Sequence, residues 1–298
     1  MVLTSNLLIA QPVITLQKAT QLPFFQSITA LEYFDRSIMA IGNDATRIFV
    51  LNENHEVLDS LSLFDYPKKI GKPLGNAGIQ ATAIVTVANN PALLIMGSGE
   101  QRTDKSDIWL FPLKGKTYSE LYTPALTIPD FFKRIRKMGV AQVSIEGAAE
   151  VNGRIVLANA AATTNDINHF IVTEFDFWAK GAMADITVIE LKVPPSKNIR
   201  VTGLEFDAKE DLLLFSASSI NNSNGYIGII QQASKKMKQP TIATNYLLSL
   251  HDKVPALNGQ KLQSICLGKS TIPGEIILHV CAIDANSQCF VYKLSMKQ

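Results

Sequence analysis

The chain alternates short apolar runs with turn-forming residues, and it shows almost nowhere the apolar spacing of a long amphipathic helix. Five segments share one pattern: a short apolar stretch with small residues, a turn, then a stronger hydrophobic run ending in small or polar residues. They read ITALEYFDRSIMAIGND from Ile28, IQATAIVTVANNPALLIMGSG from Ile79, VSIEGAAEVNGRIVLAN from Val143, VTGLEFDAKEDLLLFSAS from Val201 and, least regular, LQSICLGKSTIPGEIILHV from Leu262. A third run follows each: RIFVLN, DIWLFPL, HFIVTEFDF, YIGII and CFVYKL. Several units add a fourth, such as VLDSLSL at Val57 and ITVIELKV at Ile186. Runs rich in β-branched and aromatic residues, bounded by Asn, Asp, Gly and Pro, predict strands joined by tight turns. The best helix candidate is the brief Phe131–Met138 stretch.

Antiparallel meanders of about four strands, repeated along a chain, predict an all-β fold, a single β-propeller, over residues 1–298. The fifth unit shows only three strands, while a spare strand, PVITLQ from Pro12 to Gln17, precedes the first. Pairing that N-terminal strand with the last unit closes the ring and covers an otherwise open edge. Five blades result, or six if the first 27 residues and a long connection hide another. Two β-sandwich domains would need a linker-like change of composition, and none occurs between the halves.

In a propeller the first strand of each blade lines the channel. Aligning the repeats puts Thr29-Ala30, Gln80-Ala81, Glu146-Gly147, Thr202-Gly203 and Gln263-Ser264 at equivalent places. Glu146 therefore supplies a carboxylate where other blades have Thr or Gln, and Gly147 lets backbones crowd at the axis. Such a carboxylate can coordinate a hard cation such as calcium, act as a general base, or hydrogen-bond channel waters. Loops after the second strands carry Asp44, Glu100, Arg102, Asn165 and His169. They form a mouth for a polar or anionic ligand with Arg102 as the anion contact, or they simply make turns. Glu32 and Glu205 lie on the face of Ala30 and Gly203, where an interblade hydrogen bond or an exposed edge accounts for them.

Composition changes the picture little. The chain has 298 residues, 47% hydrophobic and 18% charged, with a formal net charge of +2, so no global field draws nucleic acid or an anionic membrane. The basic runs Lys133–Lys137 and Lys235–Lys238 are short and read as solvated loop or helix. No apolar run approaches the roughly 18–20 residues of a membrane span. The N-terminus lacks a positive leader region, so a cytoplasmic location is expected, with bacterial periplasm or secretion as the alternative. Cys266, Cys281 and Cys289 are expected reduced, although Cys281 and Cys289 flank a hairpin turn and could face one another across it. His55, His251 and His279 sit in unlike contexts without metal-ligand spacing, and no nucleophile elbow or phosphate loop occurs.

The stretch SIEGAAEVNGRIVLAN, with ALLIMGSG before it and NDINHFIVTEFD after it, resembles an uncharacterised family of bacterial β-propeller proteins, themselves distantly similar to phytase-like esterase propellers. The resemblance spans about Ile28 to Leu294. It implies acidic residues at the start of more than one blade. Glu146 matches, whereas Gln80 stands where a second acid is implied, and its neutral oxygen cannot serve as a base. The expected function is a monomeric scaffold binding a small polar or anionic molecule, or a protein partner, through Thr29, Asp44, Gln80, Arg102, Asn165, His169, Thr202 and Gln263. The alternative is a hydrolase of phosphate esters, carboxylic esters or lactones, with Glu146 as catalytic group and ligand of a divalent cation.

Overall fold

The computed structural model describes residues 11–25, 27–43, 47–62, 78–99, 108–114, 117–118, 128–194, 198–221 and 223–297. Strand β1 (Val13–Gln21) precedes blade 1, which comprises β2 (Ile28–Phe34), β3 (Ser37–Gly42), β4 (Arg47–Leu51) and β5 (Val57–Ser62). Blade 2 is β6 (Ile79–Val87), β7 (Asn90–Gly97), β8 (Ile108–Lys114) and β9 (Thr117–Tyr118). Helix α1 (Ile128–Lys137) leads into blade 3, made of β10 (Ile145–Val151), β11 (Arg154–Asn159), β12 (His169–Glu174) and β13 (Ile186–Lys192). Blade 4 contains β14 (Ile199–Asp207), β15 (Leu212–Ser219) and β16 (Gly225–Gln231), and after β17 (Thr241–Ala243) it is completed by β18 (Tyr246–Ser249). Blade 5 is β19 (Lys261–Gly268), β20 (Glu275–Ile283) and β21 (Cys289–Lys297), with β1 paired antiparallel on β21 as its outermost strand.

The result is a five-bladed β-propeller closed by its N-terminal strand. The innermost strands touch in the order β2, β6, β10, β14, β19 and back to β2, so the ring is continuous. Five apolar clusters fill the five seams between blades. This geometry explains why the strands read as apolar runs rather than as alternating patterns. A blade is covered on both faces by its neighbours, so Leu212–Ser218 in β15 and Ile276–Ala282 in β20 are buried throughout.

Two additions lie outside the repeat, one of them the helix that the sequence pattern suggested. The connection between β16 and β18 leaves blade 4 and adds β17 parallel to β13, tying blade 3 to blade 4 at the rim. Helix α1 spans three residues more at its start than the sequence pattern suggests and packs Phe131, Phe132 and Ile135 into the seam between blades 2 and 3. Its polarity suits the helix dipole, with Asp130 in the first turn and Arg134, Arg136 and Lys137 in the last. Lys133 and Lys137 project to solvent, as expected for a short basic run. The three cysteines are free and buried. Register pairs Cys281 with Val291 and Cys289 with Ile283, so the two thiols do not stand opposite each other across the hairpin.

Candidate functional site

The five innermost strands share an irregularity. The ladder slips between Ile28 and Ala30, Ile79 and Ala81, Ile145 and Gly147, Val201 and Gly203, and Leu262 and Ser264. The residue left over at each slip is Thr29, Gln80, Glu146, Thr202 or Gln263. A β-bulge releases one residue from the pleat and re-aims its side chain. Repeated five times round the axis, it delivers a ring of polar groups to one end of the channel while the flanking residues keep packing in the seams. The residue after each bulge is small because the strands converge there. A Cβ on Gly147 would lie 2.7 Å from the Leu204 nitrogen, and one on Gly203 would lie 2.8 Å from the Ser264 Cα.

All five ring residues line one open cavity of about 380 Å³. Arg200 and Lys261 line it too, each two positions before a ring residue. Glu146 is buried, and one of its carboxylate oxygens accepts a hydrogen bond from Ser144 Oγ at 2.8 Å. The same oxygen is ion-paired with the Arg200 guanidinium, which also reaches Ser144 Oγ at 3.3 Å. Asn159 braces the far side, accepting from the Ser144 nitrogen at 2.7 Å and donating to the Gln142 carbonyl at 3.2 Å. Hydroxyls at the mouth brace the blades, across a seam for Thr29 and Ser218 and within blade 4 for Thr202. Thr29 Oγ1 donates to the Ile79 carbonyl at 3.0 Å, Thr202 Oγ1 to Ser216 Oγ at 3.1 Å, and Ser218 Oγ to the Leu262 carbonyl at 3.2 Å. The amides of Gln80 and Gln263 engage no partner among the described residues. Asn43 Oδ1, also at this cavity, is buried without a hydrogen-bond donor among them.

Three residues further along the same strands, the ring becomes Glu32, Ala83, Ala149, Glu205 and Cys266. The first four line a second cavity of about 180 Å³ at the other end of the channel. Glu32 accepts from Thr82 Oγ1 at 2.6 Å, joining blades 1 and 2. Glu205 accepts from the Phe206 and Leu267 nitrogens at 3.1 and 3.3 Å, and the second of these joins blades 4 and 5. Burial, and then the charge of Glu205, raise the Glu32 carboxyl well above its ordinary value; burial pushes Glu205 up to about 7. Both glutamates do make interblade hydrogen bonds, yet they face the channel rather than an exposed edge.

Of the other residues singled out by sequence, Asn165 and His169 line a separate cavity of about 210 Å³ between the α1–β10 connection and the β11–β12 loop. It adjoins the channel mouth through Ala162, which lines both. Burial lowers the His169 pKa. Asp44, Glu100 and Arg102 lie outside the described residues. Among the described residues no three His, Cys, Asp or Glu side chains converge as a metal site, and no helix is long and apolar enough to cross a membrane.

The model of a protein family of unknown function, DUF6929, matches residues 25–295. The chain belongs to that family. A comparison with curated proteins found no match. Among solved structures, a thermostable family-43 glycoside hydrolase is similar at 12% identity and a TM-score of 0.56, covering 90% of this chain and 88% of its own. Glutaminyl cyclase from Myxococcus xanthus is similar at 14% identity and a TM-score of 0.51, over 96% of this chain and 98% of its own. At such identities the likeness is one of fold, and DUF6929 membership adds no reaction to it. What the sequence reading missed is a column of its own alignment. The positions two before each ring residue are Ser27, Gly78, Ser144, Arg200 and Lys261, and two of these five bring cations to the mouth.

Proposed function

We propose that this member of DUF6929 is a binding protein for a small anionic molecule held at the channel mouth. The observation that carries the reading is the presence of both Arg200 and Lys261 in one cavity with Glu146 and the four neutral hydrogen-bonding side chains of the ring. Glu146 serves as a positioning residue: its carboxylate, fixed by Ser144, orients the guanidinium. A guanidinium so held loses less freedom when it meets a ligand, which favours affinity. The loop residues Asn165 and His169 extend the same face, and Asp44 and Arg102 follow in loops on the sequence pattern.

The hydrolase reading, with its phytase-like resemblance and its divalent cation, asks Glu146 to be a base or a metal ligand. We place it second because the ion pair with Arg200 and the bond from Ser144 already engage that carboxylate. Titration calorimetry with acetate, sulfate and inorganic phosphate tests the binding reading. At least one anion should bind saturably, and Arg200→Gln should weaken it about tenfold, the worth of one charge-assisted hydrogen bond. The reading fails if none binds, or if Arg200→Gln and Lys261→Gln leave binding unchanged.

A further inference from the structure

Among the described residues at the mouth two cations face one carboxylate, so these side chains together carry a single unbalanced positive charge. That charge lies on one side. Glu146, Arg200 and Lys261 belong to the successive blades 3, 4 and 5, whereas the described polar residues that strands β2 and β6 and the end of β3 bring to the cavity, Thr29, Gln80 and Asn43, are neutral. The neutral side offers acceptors. Thr29, which lines the cavity, uses its hydroxyl proton on the Ile79 carbonyl and so has only acceptor capacity left, and Asn43 Oδ1 is buried with no donor among the described residues. A buried acceptor left empty costs free energy, which a ligand hydroxyl would recover.

We propose that the ligand is a small hydroxylated monocarboxylate, of the sugar-acid class. Its carboxylate lies with Arg200 and Lys261 and its hydroxyls with Asn43, Thr29 and Gln80. This rests on the anion-binding reading above and narrows it. A neutral sugar leaves the extra cation unanswered. A phosphate monoester brings a second negative charge next to Glu146. An amino acid brings an ammonium group to a carboxylate already held by Arg200 and Ser144. The volume of about 380 Å³ sits near the lower end of small-molecule sites, in keeping with a ligand of this size.

Calorimetry on the full-length protein with gluconate and glucuronate, against glucose, acetate and glucose 6-phosphate, tests the class. At least one sugar acid should bind about tenfold tighter than both glucose and acetate, since each comparison removes one set of polar contacts. Lys261 is exposed, so Lys261→Met should keep the fold while weakening the sugar acid about tenfold. Asn43→Ala should narrow the gap between gluconate and acetate without changing acetate affinity. If glucose 6-phosphate binds more tightly than both sugar acids, or acetate binds as well as gluconate, the class is wrong while the anion site stands. If no anion binds, both readings fall.

Discussion

At the scale of single residues, the mouth depends on an ion pair whose partners differ in exposure. The Glu146 side chain is 9% exposed and that of Arg200 is 38% exposed. Removing one partner therefore has unequal consequences. Arg200→Gln takes the ion-pair partner from a buried carboxylate, and breaking a buried pair from the cation's side is costly. Glu146→Gln leaves a guanidinium that water can still reach, and the Gln oxygen keeps the bond from Ser144. Urea denaturation at neutral pH should show Arg200→Gln destabilised by about 2 kcal/mol and Glu146→Gln by less than half of that. Equal losses would mean that the pair is not organised around a buried acid. This asymmetry could not be read from the sequence, because Arg200 and Glu146 lie on different strands and nothing local links them. What could be read was Glu146 itself, since the alignment of blade starts isolates it among Thr and Gln.

At the scale of elements, the repeated bulge explains both what was legible and what was not. The polar residue followed by a small one recurs in the text, so the five ring positions could be aligned without coordinates. The bulge itself leaves no local signature, and the interblade hydrogen bonds of Glu32 and Glu205 were legible while their place on the channel was not. After a slip of one residue, alternation counted from the strand start no longer gives the face. The seam between blades 5 and 1 shows a second element-level feature hidden from the sequence. The turn between β4 and β5 carries His55 at a φ of 63°, and its Nε2 lies 2.9 Å from Nδ1 of His279 on β20. Its other nitrogen lies 3.0 Å from Thr20 Oγ1 on the closing strand β1. Burial first, and then neighbouring positive charge including Lys293, lower His55 to about 4 and His279 to about 3, from 6.5. A histidine with a depressed folded-state pKa contributes stability at neutral pH, and that stability is lost as pH falls from about 6.5 through the folded values. Urea midpoints measured from pH 7 down to pH 4 should therefore fall for the wild type. The slope should flatten in His55→Asn, a residue that tolerates the positive φ. An unchanged slope would remove the pair from the acid response.

At the scale of the whole molecule, the closure was legible because of an arithmetic mismatch: three strands at one end of the chain and a spare one at the other. The rim strand β17 was not, because a three-residue parallel addition carries no repeat signal. Closure matters to the site because the mouth needs every blade at its place on the circle. Lys261 and Gln263 of blade 5 must meet Thr29 and Asn43 of blade 1, and no covalent link joins those blades except through the chain's long path. Beyond the packed seam between them, the clasp is β1, paired with β21 from Val13–Lys297 to Gln21–Phe290 and reinforced by Gln17 Nε2 donating to Ser295 Oγ at 2.9 Å. Deleting residues 1–21 removes that pairing and the buried Ile14, and it bares the full length of β21 as an open edge. Such an edge recruits another strand, so the truncated protein should self-associate in size-exclusion chromatography and lose roughly 2 kcal/mol or more of stability. A peptide spanning residues 11–25, supplied in excess, should reverse that self-association and return whatever anion affinity the intact protein has. A truncated chain that elutes in the same association state as the intact protein, with an unaltered urea midpoint, would show that the ring holds without its clasp, and that the mouth is assembled by the seams alone.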